Sequence, residues 1–167
     1  MIHLLLPAII AITLALILYT LGVFSERKHG TLTKKNLSLF WLGLVCDTTG
    51  TSLMAKIAAS HQGSVAASSM TLHAITGGAA IVLMLAHALW ATWVCFRGTE
   101  KTKAQFHRFS STVWCFWLIP YICGLLIGTP QIPVKGIPAF LISVVFAAIV
   151  GALLYESDKR KAAAKKN

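Results

Sequence analysis

Two histidines, His73 and His87, stand 14 residues apart in the apolar stretch 72–96, LHAITGGAAIVLMLAHALWATWVCF. At about 100° and 1.5 Å per residue, this spacing is roughly 40° short of four turns and spans about 21 Å. Both rings are therefore expected on nearly the same side of one helix, each close to one surface of a bilayer. Imidazole is a nitrogen ligand for iron. A membrane helix offering two in this way suits b-type haem, bound non-covalently near each surface. His87 and His73 are the predicted metal ligands.

Asp47 lies near the centre of another apolar stretch, in CDTTGTS. An ionisable group at that depth is costly unless neutralised or paired. Counted from the ends of their stretches, Asp47 and His87 differ in height by about 1.5 Å. Asp47 is thus expected to accept the far ring N–H of His87, fixing its tautomer and strengthening it as a ligand. The plainer alternative is a hydrogen-bonded pair that only specifies packing. Thr48, Thr49, Thr51 and Ser52 can satisfy spare lone pairs or back-bond to their own helix. Of the five acidic residues, Asp47 alone is expected to be buried.

Further polar groups complete the candidate site. His107, in FHRFSS, is displaced by roughly 10 Å from His87 along the membrane normal, too far to share one iron. With Arg108 it could instead meet haem propionates, or it is an exposed interface residue. His3 and His61 can reach the height of His73, which leaves an outer bis-histidine site geometrically open, and both also suit a wet interface. His29 reads as a solvated loop residue. Gly77 and Gly78, about one turn beyond His73, leave room for a porphyrin face or for close helix contact. The five tryptophans, Trp41, Trp90, Trp93, Trp114 and Trp117, gather toward one side. They form an interfacial belt, or some of them, Trp90 included, wall a flat cofactor.

The elements that position these groups are membrane helices. Of 167 residues, 56% are hydrophobic and only 12% charged, far below the quarter or so usual in soluble domains. In lipid every backbone donor and acceptor must be paired internally, so spans should be helical. Five stretches have spanning length: 2–24, 37–59, 72–96, 109–128 and 136–155. The first has no basic residue ahead of it and reads as a retained span. Short connections predict an antiparallel transmembrane bundle, all α.

Lys and Arg set the orientation. Arg27, Lys28, Lys34 and Lys35 follow the first stretch; Arg97, Lys101, Lys103 and Arg108 follow the third; five more close the chain after 156. The second connection has none and the fourth only Lys135. This predicts the N-terminus outside and the C-terminus inside. The formal net charge of +10 is thereby explained by topology and contact with anionic headgroups, not by nucleic acid. Cys46, Cys95, Cys115 and Cys123 all fall in apolar stretches and read as small packing residues. Gly124 and Gly128 form a GxxxG pair, which permits close helix approach, and Pro120 should kink the fourth span.

The runs FWLGLVCDTTGTSLMAKIA, LHAITG, LMLAHALWATWV and FHRFSSTVWCFWLIPYICGLLIG resemble a family of small bacterial membrane proteins named for haem sensing, the HsmA family. The resemblance covers roughly residues 5–128 and falls on Asp47, Thr48, Gly50, His73, Gly77, His87, Trp90, His107 and Trp117. His3, His29 and His61 are not part of that pattern. It implies a haem-binding protein of the bacterial inner membrane, linked to haem-responsive expression and protection against oxidative stress. It also implies a division of the chain: a four-helix bundle over 1–128, an additional helix over 129–155 and a basic cytoplasmic tail over 156–167.

Two functions follow as expectations. One is a haem-binding membrane protein that sequesters haem or passes electrons, with haem, lipid and a redox partner or second copy as its company. The other is a small proton-coupled transporter or channel in which Asp47 and His87 form a mid-membrane relay. A third, blander reading is a membrane subunit that only packs against a larger partner. There is no phosphate loop, nucleophile elbow or HExxH motif, and redox chemistry at a bound haem is the enzymatic activity left open.

Overall fold

The computed structural model describes residues 2–60, 67–129, 131, 134 and 136–164. The described residues form five helices: α1 (Ile2–His29), α2 (Lys34–Ser60), α3 (Ala67–Arg97), α4 (Glu100–Gly128) and α5 (Ile137–Ala164). Four of them, all but α2, are long and apolar enough to cross a membrane. At 27 residues α2 has the length, but Lys34, Lys35, Asp47 and Lys56 dilute its apolar character.

The helices outrun the apolar stretches that announce them. The fourth stretch opens at 109, yet α4 begins at Glu100, so only Gly98 and Thr99 separate it from α3. The fifth stretch closes at 155, yet α5 continues to Ala164 through most of the basic tail. Hydropathy marks the part of a helix that lipid touches. Polar turns beyond it remain helical because their side chains are good helix formers and their backbones go on pairing.

Local chemistry fixes the ends. Gly30 stands at φ 72, a left-handed conformation that glycine adopts without strain, and its N–H reaches the Glu26 carbonyl at 2.9 Å to close α1. Thr33 and Asn36 then form a capping box for α2. The Thr33 hydroxyl accepts from the Asn36 N–H (3.3 Å) and the Asn36 side chain accepts from the Thr33 N–H (3.0 Å). Asn36 also donates to the Gly22 carbonyl at 2.9 Å, which ties the first turn of α2 to α1. Thr99 caps α4 by accepting from the Thr102 N–H at 3.2 Å.

Helices α1 to α4 close into a ring, α1 against α2, α2 against α3, α3 against α4 and α4 against α1, with α5 packed on the outside of α4. The α1–α2 pair is the closest. A Cβ at Gly22 would lie 2.5 Å from the Phe40 ring, one at Gly43 2.5 Å from the Tyr19 ring, and one at Gly50 2.5 Å from Ile12. These three contacts share one antiparallel register, so small residues let the two backbones meet along their length. The Gly124–Gly128 pair plays a different part from the one its spacing suggests. Gly124 receives the His73 ring, and nothing lies within 4 Å of a Cβ at Gly128.

Candidate functional site

His87 is fully buried on the inner face of α3. Its Nε2 lies 3.2 Å from the Ser110 hydroxyl of α4, and its Nδ1 is buried without a hydrogen-bond partner. Phe40 meets the ring edge-on at 4.5 Å, Phe106 stacks on it at 5.4 Å and Phe109 lies at 5.8 Å. Glu26 of α1 is also 0% exposed. Its carboxyl faces Ser110 without closing a hydrogen bond of full geometry. The neighbouring cation, Arg27, turns away to Asp158 of α5. A carboxyl, a hydroxyl and an imidazole from three helices therefore meet at one level.

Seven residues along each helix, the pattern repeats. From Glu26 the step leads to Tyr19, from Phe40 to Asp47, from His87 to Ala80, and from Ser110 to Trp117. Asp47 Oδ2 accepts from the Trp117 indole N–H at 2.8 Å. The buried Tyr19 hydroxyl is turned toward the same carboxyl, and the Tyr19 and Trp117 rings meet edge-on at 5.2 Å. One more step of seven on α3 and α4 reaches His73 and Gly124, whose contact places the His73 ring against α4. Seven residues make two turns and about 10.5 Å of rise. One stripe of α4, Ser110, Trp117 and Gly124, thus touches three successive levels of protonatable side chains. A shared heptad period is what keeps four antiparallel helices in register over this distance.

His73 and His87 do lie on one side of α3, both toward α4. Asp47 is not the partner of His87, contrary to the pairing expected from their positions in the two apolar stretches. Asp47 bonds to Trp117 and His87 to Ser110, two turns apart on α4. Helix α2 opens at Lys34, three residues before the apolar stretch, which accounts for part of that offset. Glu26 corrects a second expectation, since Asp47 is not alone among acids in being buried. Its position inside SERKH, between apolar span and basic cluster, resembled a solvated helix end. The usable signal was its place seven residues after Tyr19.

The remaining candidates scatter. Trp90 is 49% exposed and stacks on Trp93 at 5.3 Å, facing outward. His107 bonds to its own helix at the Ala104 carbonyl (2.8 Å), and Arg108 is exposed. Neither approaches His87 through any described contact. His3 is exposed, and His61 lies outside the described residues. Gly77 and Gly78 have nothing within 4 Å of a Cβ, so they do not serve close helix contact. Three tryptophans use their indole N–H to tie helices together: Trp41 to Thr92 at 3.1 Å, Trp114 to Thr20 at 3.2 Å, and Trp117 to Asp47. Among the described residues no three His, Cys, Asp or Glu side chains converge as a metal site.

A haem on His87 does not fit this packing. Iron would have to approach a ring nitrogen, yet Nε2 faces Ser110, and Nδ1, though unpartnered, is sealed inside the bundle with an imidazole that three phenyl rings enclose. A porphyrin has many times the area of the ring it would sit beside. His73 differs, being half-buried and beside the open glycine face. Comparison with protein-family models, with characterised proteins and with solved structures gives no match in any of the three.

Proposed function

We propose that this chain is a proton-handling membrane protein in which the four-helix ring carries protons between the two surfaces. The observation that supports it is the repeat of protonatable side chains at seven-residue steps: Glu26 with His87, Asp47 with Tyr19, then His73. Ionisable groups are costly inside a membrane, and where they occur they commonly mark ion and proton paths. At the innermost level the Glu26 carboxyl can donate to Ser110 Oγ while the Ser110 O–H donates to His87 Nε2, which makes the hydroxyl a bridge between acid and base. Successive levels are about 10.5 Å apart, beyond a direct hydrogen bond. A proton passing from His87 to Asp47 therefore needs inserted water or a shift of α3 along α4.

The test is reconstitution into liposomes that trap a pH-sensitive dye, with a potassium gradient and valinomycin setting the potential. The wild type should change internal pH on imposing the potential. Glu26→Gln keeps the shape and removes the exchangeable proton, and it should slow the change by on the order of a hundredfold. Equal rates in wild type, Glu26→Gln and Asp47→Asn would end this reading.

A second reading, haem bound at His73, is favoured by the open face at Gly77 and Gly78 one turn from that ring and by the unpartnered His73 Nδ1. The resemblance to the HsmA family supports it too. That resemblance also supports placing the protein in the bacterial inner membrane, and the distribution of Lys and Arg supports the basic loops facing inward. When bound there, haem would supply redox chemistry, and His73 would hold its iron. Protein purified from haem-supplied cells should then show a Soret band that His73→Ala abolishes and His87→Ala leaves in place. Colourless wild-type protein would remove it.

A further inference from the structure

On the outer side of the ring, α4 and α5 enclose an apolar groove of about 310 Å³, lined by Cys115, Phe116, Ile119, Ala147, Ala148 and Gly151. Leu154 lines its end. The Leu154 carbonyl accepts from Arg27 Nη2 at 3.1 Å, and the same nitrogen donates to Asp158 Oδ1 at 2.6 Å. The Arg27 side chain is only 5% exposed. Its other terminal nitrogen, Nη1, is buried with no hydrogen-bond partner. The guanidinium stands 5.9 Å from the centre of the Phe24 ring, and its charge is close enough to act on the Cys115 thiol inside the groove.

Arginine presents a planar fork of donors that suits carboxylate and phosphate. Here one prong is in use and the other is not. An unmade hydrogen bond on a buried cation is costly, so the guanidinium keeps the capacity to donate to a second anion once Asp158 moves aside. A slot that is apolar along its length and cationic at one end complements an anion carrying a hydrocarbon tail. In a bilayer the abundant molecule of that kind is an anionic phospholipid. One turn further along α5, Arg160 and Lys161 border a second hollow beside Glu156, which adds positive charge at headgroup level.

We propose that the α4–α5 groove holds one acyl chain of an anionic phospholipid, with its phosphate taken by the Arg27 guanidinium beside Asp158. Asp158, whose side chain is 25% exposed, lies at the wet end and is the group that moves to admit the phosphate. This site is independent of the proton path, which runs on the opposite face of α4.

Native mass spectrometry of the full chain, released from nanodiscs of equal phosphatidylglycerol and phosphatidylcholine, reads the outcome. The wild type should retain one phosphatidylglycerol in preference to phosphatidylcholine by about tenfold, the equivalent of one charge-assisted contact. Arg27→Gln should abolish the preference. Asp158→Asn should preserve or raise it. Gly151→Leu fills the groove, since a Cβ there meets only Cys115 Sγ at 3.8 Å, and should cut retention of both lipids. This last variant lies away from the ion pair and keeps the test open if Arg27→Gln does not fold. Equal retention of the two lipids by the wild type, a preference that survives Arg27→Gln, retention of neither lipid, or a dimer closed through this face would each overturn the proposal.

Discussion

Gly50→Ala should destabilise the protein by about 3 kcal/mol, the upper end for overpacking a tight interface. The added Cβ would lie 2.5 Å from Ile12 Cγ1, 3.0 Å from the Ile12 nitrogen and 3.1 Å from the Ala8 carbonyl oxygen. Two of those atoms are backbone and cannot rotate aside, so α1 and α2 must separate. Gly22 and Gly43 face the side chains of Phe40 and Tyr19 rather than backbone, and since a side chain can yield where backbone cannot, alanine there should cost less. Gly128→Ala is the control. With nothing within 4 Å and a gain in helix propensity of up to about 1 kcal/mol, it should be neutral or stabilising. Thermal unfolding in detergent, followed by tryptophan fluorescence, measures all four. Equal losses at Gly50 and Gly128 would contradict the register in which α1 and α2 meet.

His87→Ala should cost about 3–4 kcal/mol, as truncation of a large buried ring does. The cavity would be bounded by Phe40, Phe106 and Phe109, and the Ser110 hydroxyl would lose its partner. Because the space left behind has the shape of the missing ring, added imidazole should bind there and raise the unfolding temperature of the variant but not of the wild type. A variant as stable as the wild type, or one indifferent to imidazole, would show that the ring is not packed as described. The same measurement separates the structural contribution of His87 from its part in proton transfer, since His87→Phe should restore packing and leave liposome acidification slow.

The membrane character and all-helical architecture were legible from composition, because lipid leaves the backbone few choices. So was the shared side of His73 and His87, a matter of helical period alone. Helix limits were not legible, since hydropathy is silent about polar turns such as 100–108. Partner choice was not legible either. Asp47 and His87 differ in their neighbours by two turns of α4, and the sequence gives height only as well as it gives the helix starts. The burial of Glu26 is not legible because its flanking residues are those of an exposed helix end. Its burial comes from a helix that arrives much later in the chain and brings Ser110 opposite it. The glycines told a similar story: a motif at Gly124 and Gly128 drew attention by its spacing, while the contacts that need glycine lie at Gly22, Gly43 and Gly50, where no short motif announces them.

Helix α5 leans on a ring that is already shut, through one face of α4 and the Arg27 ion pair. The order of synthesis therefore matches the order of closure. As the chain leaves the ribosome, the first four helices hold every member of the buried polar levels, and they can assemble while the fifth is still being made. Arg27 then waits at the rim until Asp158 emerges, which makes the last helix a latch on a finished barrel of helices and not a stave of it.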